Sequence, residues 1–151
     1  MMVMDRFVDD PVLLVEDNPD DVLITKRAWK KGCIKNSLHV VNNGEEALQF
    51  LRREKDYADA PTPCLILLDL KMPRMDGFEV LEEIKGDNEL KSIPVIVLTS
   101  SDRDQDVERA YKLGCNSYIV KPINFEHFIK ALVEINRYWL NICKMPGKMF
   151  G

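Results

Sequence analysis

The sequence is poor in the residues that build zinc sites and disulfide frameworks. Its 151 residues include only two histidines and four cysteines, and no two cysteines are spaced as a Cys-x-x-Cys pair. A zinc site therefore has few ligands available. The histidines are interpreted as structural residues, and the cysteines as small core or surface residues of a reducing compartment. These six residues are His39, His127, Cys33, Cys64, Cys115 and Cys143.

Long apolar runs and an excess of positive charge are also missing. No run approaches the roughly 18 residues that a membrane span needs, and residues 1–7 do not form a secretory signal. We therefore expect a cytoplasmic protein that does not contact the membrane. Lysine and arginine number 21 against 25 acidic residues, a net charge of −4, which argues against binding to nucleic acid.

Short apolar runs alternate regularly with amphipathic stretches. The runs lie at 12–15, 38–41, 65–68, 95–98 and 117–120, and each is followed by a stretch with helical periodicity. The run at 65–68 is apolar at every position, which is typical of a strand that is buried on both faces. The pattern predicts an α/β fold: a doubly wound, five-stranded parallel sheet with helices on both faces.

Local signals place several helix ends. Asn18 is a candidate N-cap and Pro19 suits the first helical position, and that helix should end near Gly32 in a left-handed glycine cap. The fourth helix should end at Gly114 and the fifth at Trp139 or Leu140. A polar stretch with several prolines, at 52–63, is predicted to be a loop.

Polar side chains follow four of the predicted strands at the point where each strand ends. They are Glu16 and Asp17 after the first strand, Asp69 after the third, Thr99 and Ser100 after the fourth, and Lys121, which is followed by Pro122, after the fifth. Because parallel strands end at one edge of a sheet, and ligands bind there, these side chains should lie together.

The chemistry of this group favours a metal-assisted phosphoryl-transfer site. Two carboxylates about 4 Å apart repel each other by about 4 kcal/mol at an effective dielectric constant near 20. The carboxylates of Glu16, Asp17 and Asp69 are therefore expected to bind a hard cation such as Mg²⁺. Lys121 can neutralise part of the charge on the phosphoryl oxygens, and the Thr99 hydroxyl can donate a hydrogen bond to one of them. Asp69 can be the nucleophile without a general base, because an aspartate is normally ionised near neutral pH.

The motifs VLLVEDNPDD, LILLDLKMPRMDG, VIVLTSS and SYIVKP resemble, in this order, those of response-regulator receiver domains. The resemblance implies a flavodoxin-like (βα)5 fold with Asp69 as the phosphoacceptor. It places Mg²⁺, for which Mn²⁺ or Ca²⁺ can substitute, on Glu16, Asp17, Asp69 and the backbone carbonyl of Lys71. Lys121, with a cis bond to Pro122, would contact the phosphoryl group. Thr99 and Tyr118 would form a switch pair.

The resemblance also implies a domain plan and a set of partners. Residues 11–143 would form the receiver domain, between an extension at 1–10 and a tail at 144–151. The phosphoryl donor would be a sensor histidine kinase or hybrid kinase. Because no DNA-binding domain follows in this sequence, the output would be a downstream protein, a phosphotransfer partner, or a homodimer through helix four, strand five and helix five. Such a chain is a signalling domain that assists its own phosphorylation and dephosphorylation, not a classical enzyme.

The loop at 54–63 and the ending NRYWLNICKMP are similar to those of stand-alone regulators that accompany phytochrome-type sensor kinases.

Other interpretations stay open at this point. A flavin-binding module could share the topology, although the carboxylates after the first strand would repel a flavin phosphate. A phosphatase with an aspartyl nucleophile would need a second aspartate where Lys71 stands. A degenerate receiver would bind partners without phosphorylation. Tyr118 could simply pack on an edge strand, and Asp76 and Gly77 are interpreted as a turn and helix start without chemistry.

Overall fold

The computed structural model describes residues 10–121 and 124–142, which form one parallel sheet covered by helices. The strands are β1 (Val12–Val15), β2 (Leu38–Val41), β3 (Leu65–Leu68), β4 (Val95–Thr99) and β5 (Ser117–Val120). All neighbouring strands are parallel, in the order β2-β1-β3-β4-β5. The predicted doubly wound sheet is confirmed.

Five α-helices connect and cover these strands. They are α1 (Pro19–Lys31), α2 (Gly44–Arg52), α3 (Gly77–Gly86), α4 (Asp104–Lys112) and α5 (Phe125–Asn136). Side chains cap four of the five N-termini: Asn18 caps α1, Asn43 caps α2, Asp76 caps α3 in a capping box with Glu79, and Asn124 caps α5. Each cap accepts hydrogen bonds from backbone N–H groups that the first turn leaves unpaired.

The sheet separates two apolar cores. On one face α2, α3 and α4 pack their buried residues, including Leu48, Phe50, Leu81 and Ala110, against the sheet. On the other face α1 and α5 contribute Trp29, Phe128 and Leu132, among others. Strands β1, β3 and β4 are buried at every position, and for β3 this confirms the prediction from the uninterrupted apolar run at 65–68.

Several helix ends differ from the prediction. After α1 the left-handed residue is Cys33, with φ 55°, whereas Gly32 keeps a right-handed helical conformation. Helix α4 ends at Lys112, two residues before Gly114, whose φ of 107° suits glycine. The stretch predicted as a loop contains the short 3-10 helix Lys55–Tyr57. Helix α5 gives way after Asn136 to a π-helical segment, Arg137–Ile142.

Some predictions fall outside the described residues. These concern Pro122 with its cis bond, Cys143, the proposed tail at 144–151, and residues 1–9 of the proposed extension. Within the ranges 10–121 and 124–142, no helix is both long enough and apolar enough to cross a bilayer.

Candidate functional site

Backbone hydrogen bonds align the carboxyl ends of the strands and so bring the predicted site together. The Asp69 N–H donates to the Val15 carbonyl at 3.1 Å, which holds the end of β3 beside the end of β1. The Lys121 N–H donates to the Thr99 carbonyl at 2.7 Å and does the same for β5 and β4. The residues that follow four strands therefore share one edge of the sheet.

Three carboxylates form a compact cluster at this edge. Glu16, Asp17 and Asp69 each present an oxygen, and these oxygens all lie within 4.8 Å of one another. Glu16 and Asp69 are buried, and Asp17 is half-buried. Hard oxygen donors so close together form a set that suits a divalent cation such as Mg²⁺, because a cation removes their mutual repulsion.

Backbone and side-chain amides hold Glu16 in the cluster. Its Oε2 accepts a hydrogen bond from the Asn18 N–H at 3.2 Å, and its own carbonyl accepts one from Asn42 Nδ2 at 3.3 Å. The carboxylate is therefore positioned by β1, by the start of α1 and by the residue that follows β2.

Lys121 reaches into the cluster from β5. Its Nζ donates to Glu16 Oε1 and, at 3.0 Å, to Asp21 Oδ2. The side chain of Lys121 is only 9% exposed, so its charge faces the cleft and not the solvent. The sequence-based interpretation did not find the ion pair between Lys121 and Asp21.

Burial and charge shift the pKa values of this pair. Burial, reinforced by the negative charge of Asp69, raises the pKa of Glu16 to about 7, although Lys121 acts in the opposite direction. Burial also acts to lower the pKa of Lys121, but its hydrogen bonds to Glu16 and Asp21 outweigh burial, and the net shift is upward. One ammonium thus compensates the negative charge of the cluster only in part, so there is room for a further positive charge.

An open polar cleft of about 440 Å³ gives access to these groups. Its lining includes the three carboxylates, Lys121, Asp21, Lys71 and Ser100. The side chain of Lys71 is exposed. Because Lys71 lines the cleft, its backbone lies where the predicted carbonyl ligand of the metal would have to be.

Thr99 and Tyr118 are linked through the loop that follows β4. Thr99 is fully buried, and its Oγ1 accepts a hydrogen bond from the Ser101 N–H at 3.5 Å. The Tyr118 hydroxyl donates to the Ser101 carbonyl at 2.9 Å. Ser101 Oγ in turn donates to Asp106 Oδ2 at 2.6 Å, which ties the loop to α4. The sequence interpretation did not find this connection, because nothing in the spacing of Ser101 indicates it.

Comparisons with known proteins agree with this geometry. The family model of the response regulator receiver domain matches residues 12–133. The probable methanogenesis regulatory protein FilR2 of Methanothrix harundinacea is 39% identical over 92% of this chain and 90% of its own length. The response regulator Rcp1 of Synechocystis is 39% identical over 90% of this chain and 92% of its own length.

Two solved structures have the same fold. The phosphorylated cyanobacterial phytochrome response regulator RcpA superimposes with a TM-score of 0.85 at 39% identity, over 92% of this chain and 99% of that chain. The Mn²⁺-bound form of Rcp1 superimposes with a TM-score of 0.82 at 38% identity, over 91% and 99%. The flavodoxin-like fold is thereby confirmed, and the cluster of Glu16, Asp17 and Asp69 is consistent with divalent-metal binding by receiver domains.

Proposed function

Because the chain belongs to the response regulator receiver family, we propose that it is a single-domain response regulator phosphorylated on Asp69. The phosphoryl donor is a sensor histidine kinase or hybrid kinase. The observation that carries this proposal is the cluster of three carboxylates that shares a cleft with the largely buried ammonium of Lys121.

Glu16, Asp17 and Asp69, with the backbone carbonyl of Lys71, are the proposed ligands of Mg²⁺. The ion supplies positive charge that offsets the repulsion within the cluster and between the cluster and the incoming phosphoryl group. The donor set supports this assignment because it consists of oxygen atoms, which Mg²⁺ prefers. Mn²⁺, which Rcp1 binds, and Ca²⁺ are proposed to substitute.

In the proposed reaction, an oxygen of the Asp69 carboxylate forms a bond to phosphorus while the bond between phosphorus and the donor nitrogen breaks. The nitrogen keeps the electron pair of the broken bond, and the product is an acyl phosphate. Lys121 stabilises the charge on the phosphoryl oxygens, and the Thr99 hydroxyl donates to one of them. Asp69 is buried but lines the open cleft, which supports its role, because a phosphoryl donor can approach its carboxylate from the cleft.

The proposed signal is a shift between two conformations of the β4–α4 loop and Tyr118. The acyl phosphate formed on Asp69 carries a charge of about −1.5 to −2, by analogy with other phospho-residues, which is more negative than the single charge of a carboxylate. If the Thr99 hydroxyl turns toward this charge, its hydrogen bond from the Ser101 N–H is lost. The loop can then move, and with it the Ser101 carbonyl that accepts from the Tyr118 hydroxyl. The chain of contacts from Thr99 through Ser101 to Tyr118 supports this path.

The output is proposed to be a downstream protein, a phosphotransfer partner or a homodimer through α4, β5 and α5. Tyr111 of α4 and Tyr138, which follows α5, support a docking role, because about half of each side chain is exposed. We place the protein in the cytoplasm, with no role in binding nucleic acid or membranes. The domain bounds of 11–143, with an extension at 1–10 and a tail at 144–151, are part of the same proposal.

The test is incubation with acetyl phosphate and MgCl₂, followed by measurement of the intact mass. We expect an adduct of one phosphoryl group that needs the metal and is absent from Asp69→Asn. The matched control is Asp20→Asn, which removes an exposed carboxylate from the first turn of α1 and should still form the adduct.

Two results would contradict the proposal. Wild-type protein that gains no adduct would favour a degenerate receiver, and an equal adduct on Asp69→Asn would place the phosphoryl group elsewhere. Continuous turnover of a phosphate ester would favour a phosphatase.

A further inference from the structure

Lys121 has two carboxylate partners in this structure, and only one of them belongs to the carboxylate cluster. Glu16 is a cluster member, whereas Asp21 lies on α1 outside the set of oxygens that could hold a metal. We propose that Asp21 is a positioning residue whose carboxylate competes with the incoming phosphoryl group for Lys121 and so slows phosphorylation. This inference rests on the function proposed above.

The fold places Asp21 firmly beside Lys121. Asn18 caps the first turn of α1 by accepting from the N–H groups of Asp20 and Asp21, at 2.9 and 3.3 Å. The Thr25 hydroxyl donates to the Asp21 carbonyl at 2.8 Å. The backbone that carries the Asp21 carboxylate is therefore held by three hydrogen bonds.

Before the reaction starts, Lys121 is already hydrogen-bonded to two carboxylates. An ammonium has three N–H donors, and Glu16 and Asp21 each take one of them. A phosphoryl oxygen must therefore share the ammonium with two negative charges. Removing the charge of Asp21 increases the positive potential that Lys121 presents to the transferring group.

Partial exposure limits the size of the effect. The side chain of Asp21 is 35% exposed, and pairs of this kind contribute up to about 1 kcal/mol, which corresponds to a factor of about five. We therefore expect Asp21→Asn to raise the maximal rate of phosphorylation about two- to fivefold. Asparagine keeps the shape of the side chain and one oxygen that can accept from Lys121, so the main change is the loss of the charge.

The experiment measures the rate of adduct formation against acetyl phosphate concentration at saturating Mg²⁺, by intact mass. Asp20→Asn is the control, because it removes the same charge from an exposed side chain one residue away. Asp21→Glu restores the charge and should return the rate toward the wild-type value. In a Lys121→Gln background, Asp21→Asn should change the rate no more than Asp20→Asn does.

Each result decides one of the two claims. If wild type forms no adduct, the proposed function fails. If wild type is phosphorylated but Asp21→Asn is no faster than Asp20→Asn, or is slower, the role of Asp21 is wrong and the proposed function stands. If Asp21→Asn still accelerates phosphorylation in the Lys121→Gln background, the proposed role of Asp21 is also wrong. If circular dichroism shows that Asp21→Asn does not fold, Asp21→Ser takes its place. If Lys121→Gln forms no adduct, the comparison of Asp21→Glu with Asp21→Asn decides the role of Asp21.

Discussion

Gly77 lies against the backbone of the phosphoacceptor proposed above. A Cβ atom added at this position would come within 2.3 Å of the Asp69 carbonyl oxygen and 2.6 Å of the Leu70 Cα. Both neighbours are backbone atoms, so they cannot move aside as the end of a side chain can. The glycine that appeared to be only a helix start is therefore also a packing requirement of the site.

Gly77→Ala is expected to destabilise the protein by about 1–3 kcal/mol, because the added methyl group must push the backbone at Asp69 away. Urea unfolding measures the change. Gly86→Ala, on the same helix, is the matched control, since nothing lies within 4 Å of its added Cβ, and it should be neutral or stabilise by up to about 1 kcal/mol. Equal stability of the two variants would contradict this account of Gly77.

Two described cysteines have opposite surroundings. Cys33 is exposed, whereas burial raises the pKa of the Cys115 thiol to about 11. Because the thiolate is the reactive form, Cys115 should resist a thiol reagent at pH 8 and Cys33 should react first. Peptide mapping after brief alkylation of native protein measures this difference. Rapid labelling of Cys115 without unfolding would show that its surroundings open readily.

At the scale of elements, Ser101 connects the end of β4 to β5 and α4. Its carbonyl accepts from the Tyr118 hydroxyl, and its own hydroxyl donates to Asp106. The edge strand β5 is only partly buried, so this side-chain link adds to the backbone pairing that holds it. Burial also raises the pKa of Tyr118, so its hydroxyl stays a donor at neutral pH.

Tyr118→Phe should lower the free energy of unfolding by about 0.5–1.5 kcal/mol, because it removes one hydrogen bond and keeps the ring. Chemical denaturation gives the value. Tyr111→Phe is the control, since its ring is 49% exposed, and its effect should stay within about 0.5 kcal/mol. A neutral Tyr118→Phe would mean that the link to Ser101 contributes little to stability.

For the whole molecule, binding of a metal to the folded chain and not to the unfolded chain must raise stability. At a metal concentration 100 times the Kd, the gain is about 2.7 kcal/mol. We expect Mg²⁺ or Mn²⁺ to raise the Tm of wild-type protein and of Asp20→Asn, and to have little effect on Asp17→Asn. Thermal unfolding with and without EDTA measures this. A metal-dependent shift that Asp17→Asn retains in full would exclude Asp17 as a ligand.

The element order and most of the site could be predicted because each depends on local pattern. The apolar runs identify strands, and residues such as Asp69 and Lys121 directly follow strands whose ends must meet at one edge. Helix ends were predicted less well. The left-handed conformation at Cys33 and the π-helical segment Arg137–Ile142 have no clear signal in residue type.

By itself, the sequence determined which residues could do chemistry, because hydrophobic period and strand-end position depend on near neighbours along the chain. Only the tertiary structure decided which of them touch. Asp21 and Lys121 are 100 positions apart, and their ion pair depends on how α1 is rotated against the end of β5. The same holds for Tyr118 and Ser101, which meet because β5 lies beside β4. Rotation and register depend on the packing of the whole core, and no local pattern contains that information.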